Sequence, residues 1–379
     1  NVHLWPFIVE ARRQGAKLWV IDPRRSKTAA LADRHLAPHL GSDQALALAM
    51  CHVIVEEGLY DREYVAAHTS GFDELRKIAA EYSPARAAQL TGIAEADIHE
   101  LAVTYATTRP SAIRVNYGVQ RSERGGAAVR AIVSLAALTG SFRDAGGGVQ
   151  LSTSGGFMLN GAALERPDLG PPARTINMSE LGKALTEVDD PPVKALVVYN
   201  SNPAAIAPNQ NRVLRGLSRE DLFTVVIEQM QTDTADYADI LLPATTFLEH
   251  NDLYRSYGHY YLQYAPQLVA PQGEARSNVQ IFRALAERMG LPSVCQASDD
   301  QMIEDALSSG HEFLQGITRE RLQREHSVRL NLPEPFLPFA KGGFLTPSGK
   351  FEFHAEPYSP PIESRHGDAT LLRQFPLEF

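Results

Sequence analysis

The feature that most constrains this chain is a recurring handover from a short apolar run, through a polar turn, to a helix-type segment. Lys17 to Ile21 (KLWVI) stops at Asp22-Pro23-Arg24-Arg25, and Ser111 to Val115 stops at Asn116-Tyr117-Gly118. Lys194 to Tyr199 (KALVVY) stops at Asn200-Ser201-Asn202-Pro203, and Leu222 to Ile227 (LFTVVI) stops at Glu228-Gln229. Short runs rich in Val and Ile, bounded by turn residues, read as buried strands. Helical patterns stand between them: Leu4 to Arg13, Gln44 to Glu57, Asp61 to Ala67, Phe72 to Glu81, Ala94 to Thr107, Arg124 to Thr139 and Ser277 to Met289. Strands alternating with helices build parallel βαβ units, so the expected class is α/β with mostly parallel sheets.

The pattern divides the chain. Residues 1–145 form a first α/β domain and residues 193–330 a second. Between them, 146–192 is a crossing segment marked by Gly146-Gly147-Gly148, Gly155-Gly156, Gly170-Pro171-Pro172 and Pro191-Pro192. Residues 331–379 read as a Pro-rich tail containing one short strand, Lys350 to Phe353. The chain opens without Met inside a helical pattern and stops at Phe375-Pro376-Leu377-Glu378-Phe379, so it reads as the middle of a longer protein.

Composition narrows the function. The 379 residues carry 36 Lys and Arg against 45 Asp and Glu, a net charge of −9. A chain this acidic, with no basic cluster longer than Arg24, Arg25 and Lys27, is not built for a phosphate backbone, and no nucleic-acid partner is expected. Only two cysteines occur, Cys51 and Cys295, which excludes a cysteine zinc site or a four-cysteine iron–sulfur cluster within the chain. No apolar stretch approaches the roughly 18–20 residues that span a bilayer. There is no G-x-G-x-x-G at a strand-to-helix turn, no P-loop, no H-E-x-x-H and no G-x-S-x-G. No catalytic residue and no metal ligand is assigned.

In parallel sheets, ligands sit at the carboxyl ends of strands, so the turns are the candidate sites. Asp22-Pro23 is ordinary turn chemistry, but Arg24 and Arg25 beside Ser26 also make a fork suited to phosphate. Asp43 after Gly41-Ser42 reads either as a plain helix cap or as a carboxylate for two parallel donors, such as the N1–H and N2–H₂ edge of guanine. Asn200-Ser201-Asn202 is either a tight turn or a set of mixed donors and acceptors. Glu228 is a solvated strand-end acid or a ribose partner.

Taken together, these segments resemble the molybdopterin oxidoreductases of the dimethyl sulfoxide reductase and formate dehydrogenase type. They occur in that family's order along nearly the whole chain. Val20-Ile21-Asp22-Pro23-Arg24 comes first, then Gly41-Ser42-Asp43, Tyr117-Gly118 with Gln120-Arg121, and Leu138-Thr139-Gly140. Asn200-x-Asn202-Pro203, Ala238-Asp239-Ile240-Leu241-Leu242-Pro243 and Thr346-Pro347-Ser348-Gly349-Lys350 follow.

The resemblance implies two Rossmann-like αβα domains, each clamping one guanosine arm of bis(molybdopterin guanine dinucleotide) with molybdenum or tungsten. One arm would be held by Asp22, Pro23, Arg24, Arg25, Ser26, Gly41, Ser42, Asp43, Tyr117, Gly118 and Arg121. The other would be held by Asn200, Ser201, Asn202, Glu228, Gln229, His250 and Asn278. Glu228 and Asn278 depart from the family, which more often has Asp at both positions. The resemblance further implies a small-molecule redox substrate and an electron-transfer subunit. A 4Fe-4S cluster would lie upstream of this chain and a barrel domain downstream. The isolated chain is expected to be inactive, and to hold little or no cofactor by itself. A cytoplasmic location is expected, a periplasmic one requiring an upstream signal. The competing expectation is a non-catalytic relative, such as the large subunit of respiratory complex I.

Overall fold

The computed structural model describes residues 3–122, 125–170, 174–291 and 296–353. Asn1, Val2, Arg124, Pro171, Pro172, Cys295 and the tail beyond Phe353 lie outside the described residues. The fold is mixed α/β with mostly parallel sheets, and the chain divides into two units: Asn1–Ser152 with Pro333–Phe379, and Thr153–Leu332.

The first unit is organised around the helix Asp43–Glu56. Residues from Leu46 to Cys51, together with Val53 and Ile54, are buried on every side of it. A helix apolar all round can only be a core helix. Helices Phe72–Ala80, Pro84–Thr91, Glu95–Thr107 and Gly125–Thr139 pack around it. Two parallel strand pairs flank this core, Trp19–Ile21 with Arg34–Leu36 and Ala112–Arg114 with Gly148–Gln150.

Residues 333–353 do not trail away as a tail but return to this unit. Phe351–Glu352 pairs in parallel with Thr69–Ser70, and the buried Tyr64 hydroxyl donates to Phe339 O at 2.7 Å. Phe339 stacks on Phe344 with centroids 4.6 Å apart, and Phe351 and Phe353 enter the core. Aromatic side chains spaced along a Pro-rich segment supply enough apolar area to dock it.

In the second unit, Ala195–Tyr199, Phe223–Glu228 and Ile240–Pro243 form a parallel sheet in that order. Leu185, Val213, Leu217 and Leu222 form a core beneath it, drawn from helices Leu181–Glu187 and Gln210–Leu217 and the start of the central strand. A separate antiparallel sheet joins Asp252–Arg255, Tyr261–Ala265 and Ser327–Arg329. Its hairpin carries Tyr, His and Gly residues that hide the strand period, so it is not legible in the sequence.

The strands expected to be buried are only partly so. Ile21 is 42% exposed, and in Ala195–Tyr199 only Val198 is buried, with Tyr199 51% exposed. The reason is sheet size. In sheets of two or three strands most strands are edges, and the core here covers the Leu196 and Val198 side alone. On the opposite side the Tyr199 ring meets Phe282 edge-on, with centroids 5.2 Å apart.

Candidate functional site

In the first unit, Asp22 lies just past strand Trp19–Ile21 and accepts the Arg24 N–H at 2.8 Å, which tightens the turn at Pro23. The His35 ring holds the Asp22 carbonyl at 2.8 Å. Ser26 caps the short helix Lys27–Ala30 by accepting from Ala29 N–H. Arg24 and Arg25 are exposed, and neither guanidinium has a partner among the described residues. They form a free positive edge on a loop whose backbone is held in place.

Gly41 (φ +77°) makes the left-handed step into the core helix. The cap position falls to Ser42, which is buried and donates its hydroxyl to His39 O at 2.7 Å. Asp43 is the first helical residue, so the cap position that the sequence offered it belongs to Ser42. Its carboxylate is half-buried and accepts from its own N–H. Burial, with the nearby Asp22 charge adding to it, pushes the Asp43 carboxyl above the usual carboxylate range. A half-buried carboxylate beside a second one, paired with no cation among the described residues, keeps acceptor lone pairs open to further donors.

Tyr117, Gly118 and Arg121 sit past the other strand pair, on the helix Tyr117–Gln120 and its C-cap. Among the described residues no hydrogen bond or ion pair joins them to Asp22 or Asp43.

The second unit concentrates its candidates at the carboxyl edge of the parallel sheet. Asn200 adopts the left-handed region (φ 51°) and accepts from Asn278 Nδ2 at 3.1 Å. Asn278 opens the helix Asn278–Arg288, whose Ser277 and Gln280 form a reciprocal capping box. Asn278 Oδ1 is buried and has no partner among the described residues.

Asn202 is spent differently. Its Nδ2 donates to Asp233 at 2.9 Å, and its Oδ1 accepts from Thr234 N–H at 3.1 Å and from the Thr234 hydroxyl at 2.7 Å. Both ends of the amide are consumed in tying two strand-end loops together. The bond from Asn202 holds the Asp233 carboxyl below its usual range. Ser201 is half-buried and has no side-chain partner among the described residues. Glu228 accepts the Gln229 N–H at 2.8 Å, and Gln229 Nε2 donates to Thr245 O at 2.9 Å. The Thr245 hydroxyl meets His250 Nδ1 at 2.8 Å, so Gln229 and His250 are joined through one residue.

Sequence reasoning missed Thr245 and Glu249. Glu249 accepts from Thr246 N–H at 2.7 Å, from the Thr246 hydroxyl at 2.9 Å and from Gln272 N–H at 2.7 Å. These bonds, the two backbone donors foremost, hold its carboxyl below the usual range. Glu249 thereby pins the His250 loop to the segment around Gln272 that leads into Asn278. No local signal marks it, because Gln272 is 23 residues away.

Among the described residues no group of three or more His, Cys, Asp or Glu side chains could hold a metal ion, and no helix is long and apolar enough to cross a membrane. At the strand ends the first unit presents a half-buried carboxylate and two exposed arginines, and the second presents neutral amides and a histidine.

A family model described as molybdopterin oxidoreductase matches residues 6–288. The probable oxidoreductase YoaE of Bacillus subtilis is 40% identical over 94% of this chain and 52% of its own length. Formate dehydrogenase H of Escherichia coli is 32% identical over 75% of this chain and 43% of its own. The solved structure of acetylene hydratase from Pelobacter acetylenicus superposes with a TM-score of 0.79 at 29% identity, covering 99% of this chain and 58% of that one. The chain thus spans about half the length of the relatives it matches. With a family model covering most of its residues and 40% identity to YoaE, the chain belongs to the molybdopterin oxidoreductase family.

Proposed function

We propose that this chain is the central, cofactor-cradling part of an enzyme dependent on bis(molybdopterin guanine dinucleotide), with one guanosine arm in each unit. The observation that carries the reading is Asp43, a half-buried carboxylate that neither caps its helix nor pairs with a cation. A guanine edge presents two parallel N–H donors, which an ionised carboxylate accepts together. Arg24 and Arg25, exposed on the adjacent loop, would neutralise the diphosphate. In the second unit the unpartnered Asn278 Oδ1 would accept from the base or ribose of the other arm. Asn200 positions it there, and His250 and Gln229 would line the same edge. These donor sets fit the group.

When bound, the molybdenum or tungsten centre supplies the electron transfer to a small-molecule substrate. The residues of this chain bind and orient the arms. The 4Fe-4S cluster and the partner that takes the electrons would belong to the remainder of the protein. A second reading of the overall reaction is hydration, since the superposed structure is named a hydratase and covers nearly the whole chain.

Metal and guanine-pterin content of the purified full-length protein, made in a host that synthesises the cofactor, tests the proposal. One metal and a pair of guanine dinucleotides per chain is the expected result. Absence of both would move the protein to the non-catalytic relatives.

A further inference from the structure

Glu249 is only 6% exposed, yet no Lys or Arg pairs with it among the described residues. Its two carboxylate oxygens are divided between two segments of chain. Oε2 takes the Thr246 N–H at 2.7 Å and the Thr246 hydroxyl at 2.9 Å, and Oε1 takes the Gln272 N–H at 2.7 Å. Backbone bonds continue the seam on both sides of it. Leu268 N–H donates to Leu248 O at 2.9 Å, Arg276 N–H to Pro243 O at 3.1 Å, and Thr245 N–H to Arg276 O at 3.1 Å. Each segment carries one group of the second candidate site. On the first it is His250, next to Glu249 in sequence, with its ring against the Thr245 hydroxyl at 2.8 Å. On the second it is Asn278, which opens the helix that follows Arg276 and Ser277 and whose buried Oδ1 has no partner among the described residues.

We propose that Glu249 is a positioning residue for the second guanosine site: it touches no ligand, and by clamping the two segments together it holds His250 and Asn278 in the relative position that lets both reach one nucleotide. The inference rests on the guanosine-arm reading given above. The clamp needs a carboxylate. Both of its oxygens accept, so three donors from two segments are satisfied at once. A glutamine keeps one carbonyl oxygen and turns an amide NH₂ towards donors on the other side, so half of the clamp opens whichever way the amide is turned. Hydrogen bonds weaken steeply with misalignment. A site whose binding groups arrive on separate segments therefore depends on the support that fixes those segments to each other.

The test is GDP titration into the cofactor-free full-length protein. Wild type, Glu249→Gln and Thr246→Val are compared in two backgrounds, one native and one carrying His250→Ala with Asn278→Leu. In the native background Glu249→Gln should weaken GDP binding by about three- to tenfold, the order of one misaligned hydrogen bond. Thr246→Val removes the hydroxyl donor and keeps both backbone bonds to Glu249. It should weaken binding less, and it carries the same test if Glu249→Gln does not fold. In the background without the His250 and Asn278 side chains neither substitution should cost anything further, because Glu249 then has nothing left to position. Gly140→Ala, strained at φ +63° in the other unit, is the control for lost stability: it should melt lower and bind GDP as wild type does. An unchanged affinity in Glu249→Gln, an equal loss in both backgrounds, or a comparable loss in Gly140→Ala would each overturn the inference and leave Glu249 a structural residue. Absence of saturable GDP binding by wild type would instead overturn the guanosine reading on which it rests.

Discussion

Asn278 Nδ2 donates to Asn200 Oδ1 at 3.1 Å, joining the first turn of helix Asn278–Arg288 to the loop after strand Ala195–Tyr199 across 78 residues of chain. The bond fixes the amide orientation and leaves Asn278 Oδ1 buried with no partner among the described residues. A buried acceptor without a donor costs about 1–3 kcal/mol, which a bound ligand donor would offset.

Asn278→Leu tests whether that cost is kept for binding. The substitution removes the unpaired acceptor together with the bond to Asn200. The variant should melt no lower than wild type while binding GDP more weakly. A clear drop in melting temperature with GDP binding intact would make Asn278 a structural residue.

Asp43→Asn should stabilise the ligand-free protein at neutral pH. The native carboxyl titrates above its unfolded value, so folding is penalised wherever the unfolded carboxyl is ionised. The penalty is full above the folded pKa and vanishes below the unfolded one. The stability gain of the variant should therefore shrink as pH falls and disappear below the ordinary Asp range. Denaturant titrations at several pH values read this directly.

Glu249 carries the opposite sign. Its carboxyl titrates below the ordinary Glu value of 4.5, so its contribution is complete above that value and is lost as pH falls through the depressed folded pKa. Glu249→Gln should be less stable than wild type at neutral pH, and the gap should close in acid. A gap that persists at low pH would mean that the Thr246 and Gln272 bonds do not depend on charge.

Asn202→Ala removes the clasp between two strand-end loops. Loss of the bonds to the buried Thr234 alone should cost about 1–2 kcal/mol. The check is a urea midpoint shifted at unchanged slope. A shift near zero would return Asn202 to the list of direct ligand contacts.

Gly140→Ala should destabilise by about 1–3 kcal/mol, since Gly140 sits at φ +63° and an added Cβ would lie 2.7 Å from Asp61 Oδ2. That carboxylate also pairs with Arg143, while Oδ1 caps the helix Arg62–His68. The Leu138-Thr139-Gly140 motif thus has a packing explanation of its own. Unchanged stability in a thermal melt would contradict the close approach.

Alternation of apolar runs, polar turns and helices was enough to determine the α/β class and to point to the strand ends. The order of the short motifs was enough to indicate the family. These are local signals, carried by residues a few positions apart, and propensity and capping act over that range. What each polar residue does was decided by tertiary structure alone. Asp43 reads in sequence either as a cap or as a carboxylate for a ligand, and it is the fold that puts Ser42 at the cap position. Asn202 reads either as part of a tight turn or as a ligand contact, and in the fold its amide bonds to Asp233 and Thr234. Glu249 carries no sequence signal at all until Gln272 is folded against it. Whether a donor or acceptor is free for a ligand depends on which groups arrive from 20 to 80 residues away, and only packing brings them there.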